Sequence, residues 1–397
     1  TDYAPGVEFT GITLEVDGVE SPIVRGLPLG NGFIEGERLA ELSGLDPGVR
    51  RLSVELDRDG AQVARQEVLL RHESDRAVVL LITRDCTGVV CGETETCLRG
   101  ECVDQGCASD AQSCLADECV ADADCADGPT CVTGRCVEGA CLERPDSARC
   151  PIGEHCTALD TCECGVGVDG AVVSYVDFEG EVPPTTDHLG LHPLSANRDF
   201  VFSPAPGAHC GQSLASDDSP SPGFLTMAAS EDWQLARGSV ELWVRVDGAV
   251  LGARPMSVLT RDADGTELPG HLSLTISTEG TLELRMQDVG DGRGGSYYRA
   301  TAPVTPETWH HVGINFGPPD AELWLDGVRS ERQEGDPHTV GIAGNDNLGV
   351  IGARQNNAPE GATHDDLDGR VAGRLVGALD ELRISAVRRD FTRYQDP

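Results

Sequence analysis

Sixteen cysteines, fifteen between Cys86 and Cys164 and the last at Cys210, constrain this 397-residue chain more than any other feature. Residues 86–164 contain no aromatic residue and few large aliphatics. Such a segment cannot bury enough apolar surface to offset chain entropy, so cross-links must hold it. The C-x4-C and C-x5-C spacings differ from the C-x2-C pairs usual in zinc sites. Paired thiols at this density require an oxidising compartment: periplasm, cell surface or medium.

Aligning the cysteines exposes a repeat. Cys91-x5-Cys97-x4-Cys102, Cys125-x5-Cys131-x4-Cys136 and Cys150-x5-Cys156-x5-Cys162 are three versions of one unit, preceded by Cys86, Cys119 and Cys141 respectively. Gly-Glu-Cys102 and Gly-Arg-Cys136 read as hairpin tips. Four-cysteine units of this kind usually pair first with third and second with fourth. On that pattern the bridges are Cys86–Cys97, Cys91–Cys102, Cys119–Cys131, Cys125–Cys136, Cys141–Cys156 and Cys150–Cys162. Cys107 is left for Cys114, and Cys164 for Cys210. Sequence alone does not fix connectivity. The segment reads as a stiff, disulfide-stapled stalk whose acidic loops, such as Asp122 to Gly128, are solvated rather than metal-binding.

Charge narrows the partners. There are 67 acidic residues against 30 basic ones, all arginine, for a formal net charge of −37. That field repels nucleic-acid phosphates and anionic lipid and favours cations or plain solubility. No segment approaches the ~18 apolar residues of a membrane helix. No signal peptide is visible, so Thr1 reads as a processed start. No N-x-S/T sequon is present.

Either side of the cysteines the chain reads as all-β. In residues 1–85, Val7–Val16, Arg51–Leu56 and Gln62–Leu70 alternate, Ala77–Ile82 is a continuous apolar run, and Asp17-Gly18, Asp46-Pro47-Gly48 and Asp59-Gly60 are turn signals. Six or seven short strands predict an immunoglobulin- or fibronectin-like β-sandwich serving as a spacer or docking domain. Residues 165–397 hold all four tryptophans, and about a dozen strands there predict a large sandwich. Ser239–Val246 alternates aliphatics against Glu241, Trp243 and Arg245, and Asp326-Gly327 is a two-residue hairpin signal.

The third segment resembles the LamG-like jelly roll of the concanavalin A-like lectin/glucanase superfamily. The motifs are Tyr175-Val-Asp-Phe-Glu-Gly180, Gly238-Ser-Val-Glu-Leu-Trp-Val244, Thr308-Trp-His-His-Val312, Leu323-Trp-Leu-Asp-Gly-Val328, Val350-Ile-Gly352 and Leu379-Asp-Glu-Leu-Arg-Ile384. More loosely, the whole chain resembles surface lipoproteins of GC-rich Gram-negative bacteria. That resemblance implies an extracellular or outer-membrane-surface location, with membrane attachment only through a lipidated cysteine upstream of Thr1. It also implies two curved sheets whose concave face or rim loops bind.

The chemistry expected from these motifs is binding rather than catalysis. The Glu-x-Asp-x-(x)-Glu strand of glucanases on this fold is missing, and Asp177-Phe-Glu179-Gly-Glu181 sits on the first strand instead. Gly211-Gln-Ser-Leu-Ala lacks the second glycine of a nucleophile elbow. His310 and His311 are adjacent and face opposite sides of a strand, so they do not form one metal site. The resemblance implies Ca²⁺ at a rim or between the terminal strands, where Asp177 or Glu179 would approach Asp380. Asp262 to Gly265, Asp288 to Asp291, Asn345 to Asn347 and Asp365 to Asp368 are the rim alternatives. Trp243 and Trp324 lie on the polar faces of their strands, where they would stack on a sugar or anchor a protein unless a loop covers them. Three readings follow: a surface adhesion protein binding a glycan or protein, a subunit of an extracellular assembly, and a divergent glycoside hydrolase.

Overall fold

The computed structural model describes every residue except 4–7, 10, 23–37, 42–46, 59–60, 73–76, 107, 109–114, 116, 126–130, 158–160, 169, 180–184, 197–209, 217–222, 249–250, 262–269, 288–295, 356–362, 368–369 and 395–397. Among the described residues there is no α-helix, only short 3-10 turns between strands. The chain divides into two compact units, residues 1–163 with 167–171, and residues 164–166 with 172–397.

In the first unit a four-stranded antiparallel sheet runs in the order Val19–Pro22, Gly11–Val16, Gly48–Arg58, Ala61–His72. Period-two alternation sends Leu52, Val54, Leu56, Ala64, Val68 and Leu70 to one face, and all are buried. Among the described residues no second sheet closes that face. Tyr3, Phe9 and Ile82 cover one end, and Ala108 with Val103, Val78 and Leu80 cover the other. Ala77–Ile82, an apolar run expected as a strand, joins no ladder; its side chains pack on the sheet. The first cysteine hairpin is stitched to the sheet by Leu69 N–H to the Gln105 carbonyl (2.8 Å) and Gln105 Nε2 to Glu67 (2.8 Å). Val103 and Ala108 thus share a core with the sheet, while the later repeats pack in separate clusters.

The cystines correct part of the expected pairing. Cys86–Cys97, Cys91–Cys102, Cys150–Cys162 and Cys164–Cys210 form as expected. The middle three are instead Cys119–Cys136, Cys125–Cys141 and Cys131–Cys156, the last crossing between repeats. The expected Cys107–Cys114 bridge lies outside the described residues. Turn geometry explains the shift. Two overlapping stretches, Cys131-Val-Thr-Gly-Arg-Cys136 and Cys136-Val-Glu-Gly-Ala-Cys141, both match Cys97-Leu-Arg-Gly-Glu-Cys102. In the first hairpin Arg99 and Gly100 both adopt left-handed φ (51° and 78°), the tight two-residue turn that matches strand twist. Glu138 and Gly139 do the same (50° and 75°), whereas Gly134 sits inside a strand. Cys136 and Cys141 therefore face each other as Cys97 and Cys102 do, and each reaches back to an earlier cysteine. First-to-third and second-to-fourth pairing holds in this unit once Cys131 is left out of the count.

The second unit is a two-sheet sandwich. A seven-stranded sheet runs Val172–Val176, Gly377–Ser385, Gly238–Val246, Trp309–Phe316, Glu322–Leu325, Val328–Arg329, with Leu214–Ser216 also paired to Gly377–Ser385. An eight-stranded sheet runs Leu194–Ala196, Leu225–Met227, Gly349–Ile351, Met256–Arg261, His271–Ile276, Thr281–Gln287, Ser296–Pro303, Arg332–Glu334. Val240, Leu242, Val244 and Val246 interdigitate with Leu274, Ile276, Leu282 and Leu284 in one continuous core. Asp326-Gly327 makes the expected tight turn, with φ of 48° and 74°. The first strand pairs antiparallel with the last, which carries chain ends some two hundred residues apart into one seam.

Candidate functional site

Alternation breaks at that seam. Glu241 lies opposite Arg383 while Trp243 lies opposite Asp380, so the last strand carries one extra residue. Such a bulge re-aims side chains, and Glu381 within it adopts a left-handed φ of 55°. Two consecutive carboxylates, Asp380 and Glu381, are both buried as a result (0% and 2% exposed). Asp380 accepts from Cys210 N–H (3.0 Å) and Glu381 N–H (3.0 Å). Glu381 accepts from Val166 N–H (3.1 Å) and from the Tyr175 hydroxyl. Just beyond the first strand, Asp177 meets His188 Nδ1 (2.6 Å), and Glu179, exposed, accepts from Gln212 N–H (2.6 Å).

The Cys164–Cys210 disulfide frames this cluster. The residues after each half-cystine, Gly165 and Gly211, press on Glu381 and Glu179 so closely that a Cβ would fall 2.7 Å and 2.0 Å from carboxylate oxygens. Both glycines have positive φ, so they alone combine the needed backbone with the needed clearance.

Like charges crowd here. Burial, followed by the charges of Glu381 and Glu179, pushes the Asp380 carboxyl up to about 8. Burial raises Glu381 as well, with Asp177 and Glu179 adding to it. Among the described residues no arginine ion-pairs with any of the four; His188 on Asp177 is the single basic contact. Carboxylate oxygens from four residues, each with lone pairs left over, are the hard donor set that Ca²⁺ takes, six to eight oxygens at a time. No three of these residues bring oxygens within 4.8 Å of one another, so the seam holds the right donor chemistry without a preassembled coordination sphere.

The outward face of the seven-stranded sheet is closed. Its outward row, Glu241, His311 and Arg383, is roofed by the chain after the last strand. Tyr394 stacks on His311 (3.4 Å between ring centres), and Phe391 and Tyr394 cover Trp243, which is 5% exposed. Burial would raise Glu241, but Arg383 (Nε to Oε1, 2.6 Å) and His311 (3.2 Å) override it and hold the carboxyl well below the usual range. Burial depresses His311 in turn. Trp243 thus corrects the expectation of a ligand-stacking ring. Trp324 is half-buried, set edge-on to Phe391 at 6.2 Å with its Nε1 on Glu322 (3.3 Å).

The outer face of the eight-stranded sheet differs. Ser273, Thr275, Glu283 and Arg285 are half-buried, while Tyr297 and Arg299 are exposed. Register sets Ser273 opposite Arg285 and Arg285 opposite Tyr297, and beside them Thr275 opposite Glu283 and Glu283 opposite Arg299. Arg299 pairs with Glu283 at 2.6 Å. Arg285 lies over the Tyr297 ring, 5.7 Å from its centre.

Comparison with known proteins agrees with this architecture. Residues 223–389 match the family model for the concanavalin A-like lectin/glucanases superfamily. The C-terminal domain is concanavalin A-like. No curated protein matches the chain. Among solved structures, domain 4 of AbnA, a GH43 extracellular arabinanase from Geobacillus stearothermophilus in complex with arabinotriose, is 13% identical with a TM-score of 0.39. That likeness covers 56% of this chain and 96% of that one. The binding domain of botulinum neurotoxin serotype D is 11% identical over 56% of this chain and 49% of its own, TM-score 0.38. This chain thus spans about half the length of that domain. The Ruminococcus gnavus IT-sialidase CBM40 bound to alpha2,3 sialyllactose is 14% identical over 41% and 84%, TM-score 0.31.

Within the concanavalin A-like domain, the seam brings together Asp177, Glu179 and Asp380, and adds Glu381, which the sequence reading passed over. Its signal was the acidic doublet at 380–381 on a strand that otherwise alternates. The loop Asn345 to Asn347, a rim calcium alternative, is built around a different cation. The Arg261 guanidinium donates to the carbonyls of Asn347 (3.2 Å), Trp233 (3.1 Å), Ile342 (2.9 Å) and Asn345, and burial lowers it to about 10. Asp366 caps Thr363 (2.9 Å). Asp262 to Gly265, Asp288 to Asp291 and Asp368 lie outside the described residues. His310 and His311 fall into separate networks: His310 on Asp326 (2.6 Å), His311 on Glu241.

Proposed function

We propose that the chain is an extracellular binding protein whose concanavalin A-like domain recognises a glycan or protein partner, with no catalysis of its own. The observation that carries this reading is the contrast between the domain's two outer faces. The C-terminal segment seals one, while the other presents hydroxyls, an arginine and an exposed tyrosine in register. Seven disulfides among the described residues, with no free cysteine among them, are chemistry of an oxidising compartment, which supports the extracellular placement. No described helix is long and apolar enough to cross a membrane.

Calcium is part of the proposal: Asp380, Glu381, Asp177 and Glu179 would have to close on the ion, since no three of them converge their oxygens without it. The ion would neutralise the crowded carboxylates and tie the first strand to the last. A hydrolytic use of the same carboxylates is disfavoured because Asp380 is fully buried beneath the Cys210 segment, out of a substrate's reach. Glycan-array binding of the full chain, in Ca²⁺ and in EDTA, tests the reading. Selective binding that depends on the open face supports it. Turnover of any bound glycan, or no ligand in either buffer, refutes it.

A further inference from the structure

We propose that the open face takes a carboxylate-bearing saccharide, with Arg285 as the fork for the carboxylate and Tyr297 as the platform for a sugar ring. This rests on the reading of the domain as a binding module and names its ligand class. The argument starts from Arg285. In a chain with 67 acidic residues for 30 arginines, Arg285 forms no described ion pair, and its bonded partner is the neutral Gln287. Arg285 donates Nη2 to that side chain (3.0 Å) and its Nε is buried, so the Nη end is the part left to meet a carboxylate. The carboxylate beside it in register, Glu283, is already held by Arg299 at 2.6 Å. A planar guanidinium with donors to spare matches an incoming carboxylate two bonds at a time, and such charge-assisted pairs are the strong ones.

Its neighbours favour a sugar as the carrier of that carboxylate. Stacking over Tyr297 fixes the plane of the guanidinium while the ring stays 38% exposed. Next along the row, Ser273 and Thr275 present hydroxyls that bond to no other described group. Adjacent strands are about 4.8 Å apart, so Ser273, Arg285 and Tyr297 span roughly 10 Å, the scale of a short saccharide rather than a protein interface. A protein partner would need a cluster of apolar or aromatic anchors, and this row offers one aromatic and no exposed aliphatic side chain. The chain's net charge of −37 opposes an acidic ligand only over distances salt screens, about 8 Å at physiological ionic strength. Arg285 acts inside that range.

Titration calorimetry on the full chain in Ca²⁺-containing buffer tests this. The probes are oligogalacturonate, oligoguluronate and a sialylated trisaccharide, each beside its carboxyl-reduced counterpart. At least one acidic probe should bind, with affinity falling tenfold or more on carboxyl reduction. Arg285→Gln should lose the same factor for the acidic probe and leave the reduced one unchanged. Arg285→Lys, which keeps the charge without the fork, should recover only part of it. Tyr297→Ala should weaken acidic and reduced forms alike. Equal affinity for acidic and reduced forms, or full binding by Arg285→Gln, overturns the acidic-saccharide assignment and leaves a binding module with a neutral ligand. Failure of every acidic and neutral glycan overturns the saccharide assignment and leaves a protein as the partner of the binding module. An unchanged unfolding temperature confirms that each variant is folded.

Discussion

Asp380→Asn should raise the stability of the protein in EDTA and lose most or all of that advantage in calcium. The folded state holds the Asp380 proton up to about pH 8, whereas an unfolded carboxyl releases it near 3.8. Between those values the folded state binds more protons than the unfolded one, so stability falls as pH rises through the window. Glu381 is raised too and pulls in the same direction. Roughly three pH units separate 3.8 from neutrality, and each is worth about 1.4 kcal/mol. At pH 7 without metal the carboxylate therefore withholds about 4 kcal/mol that a neutral amide would not. Asparagine leaves one of the two donors, Cys210 N–H or Glu381 N–H, without its acceptor, which costs about 1–3 kcal/mol. The net is a gain of about 1–3 kcal/mol, or several degrees in Tm at about 2–4 °C per kcal/mol for a domain of roughly 230 residues. Calcium offsets that gain. At a hundred times its Kd a bound ion adds about 2.7 kcal/mol to the native chain, and the variant loses most of that. Differential scanning calorimetry at pH 5 and 7, in EDTA and in Ca²⁺, gives four transitions for each protein. If the native Tm ignores both reagents, the cation assignment fails. If Asp380→Asn destabilises equally in both, Asp380 is a satisfied core carboxylate and the pH argument fails with it.

Three further outcomes follow from the closed face and the cystines. Arg383→Met strands the Glu241 carboxylate in the core and should cost about 3–5 kcal/mol in urea unfolding, while Glu241→Leu/Arg383→Met should cost less than the single change. In the native chain Glu241 sits below its ordinary value, so its contribution is present above pH 4.5 and withdrawn only as acid protonates it; equal losses for the single and double variants would contradict the pairing. Trp243→Ala should cost about 3–5 kcal/mol by opening a cavity under Phe391 and Tyr394 and leave ligand affinity intact, so an affinity loss without instability would return Trp243 to the ligand. Peptide mapping of the unreduced chain should recover Cys119–Cys136, Cys125–Cys141 and Cys131–Cys156, and a Cys119–Cys131 peptide would refute the hairpin argument.

Much of the seam was legible in the sequence. That the terminal strands of the jelly roll are neighbours, the ground for expecting Asp177 and Glu179 near Asp380, is seen in the pairing of the first strand with the last. Glu381 was not legible. Period two assigns consecutive residues to opposite faces, and one extra residue in the last strand breaks that rule where it matters. The middle cystines were lost to an ambiguity of the same kind. Two C-x2-G-x-C stretches share Cys136, and only the left-handed pair Glu138-Gly139 shows which of them turns.

Local chemistry thus determined the all-β class, the strand alternation, the tight turn at Asp326-Gly327 and the need for cross-links between Cys86 and Cys164. These follow from neighbours in the chain: side chains alternate every two residues, Asp-Gly tolerates left-handed φ, and a segment without aromatics cannot hold itself by burial. Tertiary structure alone decided what covers each surface and which charge answers which. Phe391 and Tyr394 roof Trp243 from about 150 positions away, Arg261 fills a cradle that the sequence offered to calcium, and Arg285 lies over Tyr297 rather than against a carboxylate. Coverage and neutralisation depend on distances between segments far apart in the chain, and no local pattern encodes those.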